Sequence, residues 1–261
     1  MRVNFSGLNH PFNLRDFYVM QPAKNVTLFV QCLVDGLYPE VGEAMVAIFN
    51  KLGISVSCPL DQTCCGQPAF NAGYRGAARM AAKRFIEIFE DSESIVCPSG
   101  SCVNMVKNHY GQLFEDDSKW FERAAEVGQR TFELSQYITD ILKIEDVGAC
   151  YNGKVTYHDS CHLLRGLGIS EQPRRLIRNI KGVRFVEMKD SDRCCGFGGT
   201  FSVKYPVIST AMVDDKVHNI VASGADTVTG CDISCLMNIQ GRLSRTGSSV
   251  KILHIAQLLA G

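Results

Sequence analysis

The chain of 261 residues carries 27 basic and 27 acidic side chains, and this even balance argues against nucleic acid or an anionic membrane surface as a partner. Its composition, with 46% hydrophobic residues, is that of a globular protein, and its length suits one large domain or two smaller ones. No apolar run reaches the roughly 18 residues of a membrane span, so no transmembrane segment is expected.

The N-terminal residues show neither the apolar core nor the small-residue cleavage site of a signal peptide. We therefore expect a cytoplasmic protein. Hydrophobic periodicity begins only near Asn25, so residues 1–24 are predicted to be an N-terminal extension. Two explanations are open for residues 1–19: a loosely attached segment, or a stretch ahead of a translation start at Met20.

Residues 25–142 form the first of two predicted repeats, in which short apolar strands alternate with amphipathic helices. The predicted strands are Val26–Val30, Ile54–Cys58 and Ser94–Cys97. The predicted helices are Val41–Leu52, Tyr74–Phe89 and Cys102–Tyr110. The apolar side of the second helix is predicted to consist of Ala77, Met80, Ala81, Phe85 and Ile88. Near Phe132 the repeat is predicted to close with a short strand that enters a helix.

After a predicted linker at residues 143–153, the same order of elements recurs in a second repeat at residues 154–261. The predicted strands are Lys154–His158, Val183–Glu187 and Asp226–Thr229, with a last strand entering a helix near Leu253. The predicted helices are Pro173–Ile180, Ile208–Val221 and Cys235–Leu243. This alternation predicts an α/β fold of two pseudo-symmetric repeats, each a small, mostly parallel sheet with flanking helices. Functional sites in such folds usually lie in the loops that follow the strands.

The duplication is clearest in the cysteines, which number 12 in the whole chain. Each repeat has one cysteine, then the motif Cys-Cys-Gly after 31 or 32 intervening residues, and then a further cysteine. The first set is Cys32, Cys64, Cys65 and Cys102, and the second set is Cys161, Cys194, Cys195 and Cys235. Disulfide frameworks are typical of small secreted domains, and adjacent cysteines rarely bridge to each other, so the two sets favour metal or redox chemistry.

Four thiols that converge on one point are a ligand set for an iron–sulfur cluster, and adjacent cysteines suit different irons of one cluster better than a single ion. Glycine after each pair permits unusual backbone angles and brings amides toward the sulfurs. Zinc is the alternative metal, since four thiolates make a closed structural zinc site, although the chain lacks paired Cys-x-x-Cys knuckles. Plain buried thiols are the remaining alternative.

Four cysteines fall outside the matched sets. Cys58 and Cys150 have no counterpart in the other repeat and are interpreted as buried or incidental thiols. Cys97 and Cys231 precede the last cysteine of their repeats by five and four positions, and each is either a spare ligand or a core thiol.

Other polar residues accompany the second set. His158 and His162 flank Cys161, and either they donate to a cluster sulfur or relay protons, or they are hydrogen-bonded core residues. A basic stretch is interpreted as a solvated helix face, with an acidic partner or a carboxylate substrate as the alternative. This stretch comprises Arg165, Arg174, Arg175 and Arg178. The glycine-rich loop after Cys195 lacks the spacing of a phosphate-binding fingerprint.

Five stretches around these residues are QTCCGQPAFNAGY at 62–74, PSGSC at 98–102, CCGFGGTFSVK at 194–204, CLMNIQGRL at 235–243 and HIAQLL at 254–259. In this combination the chain resembles the CCG (cysteine-rich) domain proteins, typified by the cysteine-rich subunit of heterodisulfide reductase and the iron–sulfur subunit of glycolate oxidase. It resembles their lactate-utilisation group more closely, over about residues 25–261.

The resemblance implies an iron–sulfur electron-transfer subunit of a cytoplasmic complex that oxidises L-lactate to pyruvate, with a [4Fe–4S] cluster, cubane or non-cubane, in one or both repeats. It implies two partner subunits, one of them ferredoxin-type, and L-lactate as the substrate of the complex. The eight matched cysteines are then the ligands. Where the family pattern has one more cysteine per repeat, this chain has Ser99 and Asp232, which are candidate extra ligands through oxygen. No catalytic residue is identified.

Two other functions stay open at this level. The relationship to heterodisulfide reductase suggests a thiol–disulfide reductase subunit, in which an open iron splits a disulfide. The other is a zinc-stabilised scaffold that assembles its partners without redox chemistry.

Overall fold

A computed structural model describes residues 25–261. The predicted N-terminal extension at residues 1–24, with the alternative start at Met20, lies outside the described residues. The first sheet consists of four strands, β1 Asn25–Leu28, β2 Ser55–Ser57, β3 Ile95–Cys97 and β4 Thr131–Glu133. Their order across the sheet is β2-β1-β3-β4, and every neighbouring pair is parallel.

Helices cover the connections between these strands. They are α1 Cys32–Leu37, α2 Pro39–Lys51, α3 Gln67–Asn71, α4 Arg75–Phe89, α5 Gly100–Asn104, α6 Tyr110–Leu113, α7 Ser118–Gln129 and α8 Leu134–Gln136. Two π-helical turns, Met105–His109 and Tyr137–Ile141, continue α5 and α8. The sequence analysis did not predict α7, whose buried residues are Ala124, Val127 and Gly128.

The second half of the chain repeats this plan. Its strands are β5 Cys150–His158, β6 Lys181–Phe185, β7 Thr227–Gly230 and β8 Lys251–His254. Its helices are α9 Glu171–Arg178, α10 Phe201–Lys204, α11 Pro206–Ala222, α12 Ile233–Arg245 and α13 Ile255–Ala260, with a π-helical turn at His162–Gly166. The sheet order β6-β5-β7-β8, again all parallel, matches that of the first sheet strand for strand. The predicted α/β fold with two pseudo-symmetric parallel sheets is confirmed.

The two halves pack against each other through their helices. Helix α13 from the second half packs on α2 from the first, while α9 packs on α8 and its π-helical continuation. One hydrophobic core therefore runs through both halves, and it includes Ile48, Val155 and Leu259, all essentially inaccessible to solvent. Because each half covers an apolar face of the other, neither sheet is expected to be stable alone.

One predicted helix face is wrong. The buried side of α4 consists of Ala78, Ala82, Phe85, Ile86 and Phe89, whereas Met80 is 70% exposed. The buried face is rotated by one residue from the predicted face. Because this helix carries alanines on several sides, its sequence is compatible with two different apolar faces. Tertiary packing decides between them: the ring of Phe29 makes edge contacts with Phe85 at 4.8 Å and Phe89 at 5.6 Å.

A buried carboxyl group sits where the halves meet. Glu133 ends β4 and caps α8, and one of its oxygens accepts from the backbone N–H groups of Ser135 at 2.8 Å and Gln136 at 3.2 Å. Its other oxygen has no hydrogen-bond partner within the described part of the chain. Burial raises the pKa of Glu133 from 4.5 to about 7, so the neutral acid predominates in the folded protein below pH 7 and is about half of the population at neutral pH.

Stability is therefore expected to depend on pH through Glu133. The folded state keeps a proton that the unfolded chain loses between pH 4.5 and about 7, so the free energy of unfolding falls as pH rises through that window. The Glu133→Gln variant keeps an acceptor and cannot ionise. We expect it to be more stable than the parent by up to about 3 kcal/mol at pH 8, with the gain vanishing near pH 4.5. Urea unfolding across this range measures the difference, and a gain independent of pH would contradict the assignment.

No helix within residues 25–261 combines the length and the apolar character needed to cross a membrane.

Candidate metal centre

The parallel strands bring the matched cysteines to one edge of the molecule. Cys32 and Cys161 follow the carboxyl ends of β1 and β5, and Cys102 and Cys235 lie in the first turns of the helices that follow β3 and β7. The Cys-Cys pairs lie in the loops that precede α3 and α10. Because the carboxyl ends of neighbouring parallel strands share one edge of a sheet, residues distant in sequence meet there.

All eight matched cysteines line a single cavity of about 340 Å³, which we call the thiol cavity. Its wall contains Cys32, Cys64, Cys65, Cys102, Cys161, Cys194, Cys195 and Cys235. Ser99 and Asp232 also border it, as does His162. Two sets that the sequence suggested as separate sites thus open into the same space.

In the first set, the sulfurs lie in hydrogen-bonding contact with one another. The Cys65 thiol donates to the Cys102 sulfur at 3.4 Å, and the backbone N–H of Gly66 donates to the Cys64 sulfur at 3.4 Å. A hydrogen bond from Cys32 lowers the pKa of Cys64 to about 3, and one from Cys65 lowers the pKa of Cys102 to about 5. The same contacts raise the pKa of Cys32 and Cys65, the donors.

The second set repeats this arrangement. The backbone N–H of Gly196 donates to the Cys194 sulfur at 3.4 Å. A hydrogen bond from Cys161 lowers the pKa of Cys194 to about 2 and raises the pKa of Cys161 itself. Each set therefore contains at least one sulfur that is a thiolate at neutral pH, which is the form that binds metals.

Polar contacts to the backbone hold the Cys-Cys-Gly loops in place. The Tyr110 hydroxyl donates to the carbonyl of Cys65 at 3.0 Å, and the Asn238 amide donates to the carbonyl of Cys195 at 2.8 Å. The Ser209 hydroxyl donates to the carbonyl of Gly196 at 2.8 Å. These tethers fix the direction in which each pair of sulfurs points.

The Gly196→Ala variant is expected to disturb the second loop. Gly196 has φ +80°, and a Cβ there would lie 2.7 Å from the backbone oxygen of Ser209 on α11. Strain and clash together are expected to cost about 1–3 kcal/mol, measurable by urea unfolding. Gly224→Ala is the matched control, because Gly224 has φ +67° and a Cβ there would have no neighbour within 4 Å in residues 25–261. Equal losses in the two variants would show that the contact with α11 is unimportant.

The two candidate oxygen ligands meet at the junction between the halves. Ser99 and Asp232 form an antiparallel bridge, and the Ser99 hydroxyl donates to Asp232 Oδ2 at 3.3 Å. Each also caps the helix that carries the last cysteine of its set: Cys102 N–H donates to Ser99 Oγ at 3.3 Å, and Ser234 N–H donates to Asp232 Oδ1 at 3.3 Å. These residues therefore position both sets, and their role as ligands stays a prediction.

The four unmatched cysteines lie apart from the walls of the thiol cavity. Cys97 and Cys231 are fully buried in the core, and the Tyr157 hydroxyl donates to the Cys231 sulfur at 3.4 Å. Cys58 and Cys150 are exposed. Cys97 nevertheless contacts the first set, because its thiol donates to the Cys102 sulfur from behind the cavity wall. A ligand role for Cys97 or Cys231 stays a prediction.

A buried histidine on the core side of the second set forms no hydrogen bond with any described residue. His158 is 1% exposed, and neither of its ring nitrogens has a hydrogen-bond partner within residues 25–261. A ring nitrogen and the sulfurs of Cys195 and Cys235 all lie within 4.8 Å of one another. Burial lowers the pKa of His158 to about 3, so the ring is neutral. His162 instead borders the cavity, with Nδ1 at 3.9 Å from the Cys161 sulfur.

The interpretation of the basic stretch as a solvated face is wrong for Arg174. This side chain is buried and donates to Asp159 at 2.6 and 2.8 Å and to Glu187 at 2.8 and 2.9 Å. The Ser191 hydroxyl also donates to Asp159 at 2.9 Å. This network fastens the segment ahead of the second Cys-Cys pair to the end of β5.

Lys216 was missed by sequence reasoning. It is fully buried on α11, and its ammonium group donates to the carbonyls of Asp190 at 2.7 Å and Ser191 at 3.0 Å. Burial lowers its pKa to about 8, which leaves it mainly charged at neutral pH. The one signal in the sequence was a lysine on the apolar side of a long predicted helix, where the first repeat has Phe85.

The donor set fits a soft metal. Sulfur ligands with thiolate character select zinc, copper(I) or iron–sulfur clusters over magnesium or calcium. Cysteine pairs with neighbouring amide donors are the surroundings that iron–sulfur clusters use to adjust their potentials. His158, which is buried and has no hydrogen-bond partner among the described residues, is a second sign that a group belongs beside Cys195 and Cys235.

Comparison with known proteins agrees with the doubled site. The family model described as a cysteine-rich domain (CCG) matches twice, at residues 26–107 and 155–240. Lactate utilization protein A of Exiguobacterium sp. (strain ATCC BAA-1283 / AT1b) is 51% identical over 237 residues, covering 90% of this chain and 96% of that protein. The protein of the same name from Bacillus subtilis (strain 168) is 48% identical over 234 residues, covering 90% and 98%.

Among solved structures, the fold is similar to the crystal structure of a hypothetical protein from Helicobacter pylori, with a TM-score of 0.63 at 9% sequence identity. The match covers 91% of this chain and 48% of the other, so this chain spans about half the length of that protein. At this identity the similarity concerns the fold alone.

Proposed function

The chain belongs to the cysteine-rich (CCG) domain family and, within it, to the lactate utilization A proteins, and on that premise we propose that it is an iron–sulfur electron-transfer subunit of a complex oxidising L-lactate to pyruvate. The observation that carries the proposal is the convergence of two matched sets of four sulfurs on one cavity. Each set offers the four cysteine ligands that a [4Fe–4S] cluster requires.

The residues of the two sets have distinct tasks in this proposal. Cys64 and Cys194, whose pKa values are depressed, supply sulfur in the ionised form, while the Gly66 and Gly196 amides stabilise that charge. Ser99 and Asp232 hold the two sets side by side, which suits passage of electrons between them. An iron–sulfur cluster bound by such sulfurs takes up and releases one electron at a time.

Oxidation of lactate to pyruvate releases two electrons and two protons. In the proposed complex the electrons leave singly through this subunit to a ferredoxin-type iron–sulfur partner, and the protons pass to solvent. The proposal includes two partner subunits, and it places the site of lactate oxidation in the assembled complex without naming a catalytic residue of this chain.

Two experiments test the proposal. Protein isolated without oxygen is expected to contain iron and acid-labile sulfide and to give an EPR signal on reduction. Expression in a Bacillus subtilis strain deleted for its own lactate utilization protein A is expected to restore growth on L-lactate. Protein that contains zinc and no iron would overturn the proposal and favour the zinc-stabilised scaffold.

One observation favours a second candidate, a thiol–disulfide reductase subunit. Both sulfur sets open into the same cavity of about 340 Å³, which has the size of a small-molecule ligand pocket. Reduction of a small disulfide to two thiols consumes two electrons and two protons, with a reduced ferredoxin-type protein as the donor. Disulfide-dependent oxidation of such a donor, together with failure to restore growth on lactate, would select this function instead.

A further inference from the structure

Different side chains lie on the core side of the two sulfur sets. Phe29 lies three positions before Cys32, and His158 lies three positions before Cys161. The helices that pack behind the two Cys-Cys-Gly loops also occupy equivalent positions in the two repeats. Gly66 packs closely against Ala78 on α4, and Gly196 packs closely against Ser209 on α11.

Phe85 follows Ala78 by seven residues on α4, and Lys216 follows Ser209 by seven residues on α11, so the two positions are equivalent. Phe29 and Phe85 are thus the backing pair of the first set, and His158 and Lys216 are the backing pair of the second. The duplication has kept the positions and changed their chemistry.

The backing pair of the first set is entirely apolar. The rings of Phe29 and Phe85 lie 4.8 Å apart in an edge contact, and both are buried in one cluster with Cys65 and Cys102. These rings offer no hydrogen-bond donor and no charge to the sulfurs.

The backing pair of the second set is polar. The imidazole of His158 has no hydrogen-bond partner within the described chain, and one of its nitrogens lies within 4.8 Å of the sulfurs of Cys195 and Cys235. The ammonium group of Lys216 is held by two backbone carbonyls just ahead of the second Cys-Cys pair, at 2.7 and 3.0 Å. Its charge acts on Cys195 and Cys235.

Neighbouring acidic groups do not cancel this difference. Asp232 lies at the junction and acts on both sets, since its charge reaches Cys102 of the first and Cys235 of the second. Asp159 is already paired with Arg174. The charge of Asp192 also acts on Lys216, but this side chain is exposed and therefore screened by solvent. The buried ammonium group of Lys216 and the imidazole of His158 therefore distinguish the second set from the first.

We propose that Lys216 and His158 give the group held by the second set a higher reduction potential than the group held by the first set. A nearby cation and donors to the sulfurs stabilise the more negative, reduced state, whereas an apolar environment disfavours it. An electron that enters the subunit is then held preferentially at the second set. This inference rests on the proposed iron–sulfur function.

The test is a dithionite titration of the anaerobic protein at pH 7, followed by EPR, with iron and sulfide measured in each sample. The Cys64→Ser/Cys65→Ser background isolates the second set, and Cys194→Ser/Cys195→Ser isolates the first. In the parent we expect the second set to be reduced first. Lys216→Met and His158→Phe are each expected to move the potential of the second set to more negative values and to leave the first set unchanged.

Lys216→Arg distinguishes an effect of the positive charge from an effect on the structure. Because this variant keeps the charge that Lys216→Met removes, its potential is expected to stay near that of the parent. Reduction of the first set before the second in the parent, or an unchanged potential in Lys216→Met with full iron content, would overturn the inference. Iron in both sets at equal potentials would defeat this inference alone. Absence of iron from both would defeat the proposed function with it.

Discussion

The Arg174→Met variant is expected to lose about 3–5 kcal/mol of its free energy of unfolding, because it leaves a buried carboxylate without its partner. Asp159 is 3% exposed and lies directly against Arg174, at 2.6 Å between Oδ2 and Nη2. The guanidinium also donates to Glu187, and Asp159 accepts from Ser191 ahead of the second Cys-Cys pair. Urea unfolding at neutral pH measures the loss.

Arg175→Met is the matched control on the same helix. Arg175 pairs with Glu145 at 2.8 Å and Asp140 at 3.2 Å, but its side chain is 36% exposed, so we expect a loss below about 1 kcal/mol. Adding Asp159→Asn to Arg174→Met removes the stranded charge and is expected to recover part of the stability. Similar losses in Arg174→Met and Arg175→Met would contradict the buried network.

The pair Arg174 and Arg175 shows where sequence reasoning stops. Both are arginines on the short, basic helix α9, and nothing local distinguishes them. Only the partners differ, and Asp159 belongs to a segment 15 positions away in the chain. The strand–helix alternation and the duplication were predictable because they rest on local periodicity. Burial of an individual charge depends on tertiary contacts and was not.

The same limit applies to helix faces and to the packing of the halves. The buried face of α4 depends on its contact with Phe29. The packing of α13 on α2 and of α9 on α8 depends on contacts between the two halves. Hydrophobic periodicity in a single helix gives an apolar stripe without its partner. The sequence therefore predicted two similar repeats and missed that they share one core.

At the site, the sequence identified the eight sulfurs that border the thiol cavity because their order repeats in the two halves. It did not predict that both sets open into one space, since that depends on the bridge between Ser99 and Asp232. It also missed Lys216, because substitution of a phenylalanine position by lysine carries no motif. Comparing the two repeats position by position, rather than cysteine by cysteine, would have exposed it.

The shared cavity raises the question whether it holds two groups or one. Replacing Cys64 and Cys65 by serine is expected to abolish loading of the first set and to leave the second intact, so that iron and sulfide fall by about half. Cys194→Ser/Cys195→Ser is expected to give the complementary loss. The physical reason is that each set has its own adjacent pair, its own amide donor and its own last cysteine.

Cys58→Ser is the control, because Cys58 is an exposed thiol apart from the thiol cavity and its loss is expected to leave the iron content unchanged. Circular dichroism of each variant separates loss of ligands from loss of fold. If either double variant loses all its iron while it stays folded, the eight sulfurs hold a single group between the halves. Complementary half-losses instead require two groups, and the different backing pairs then give this subunit an electron donor site and an electron acceptor site within one cavity.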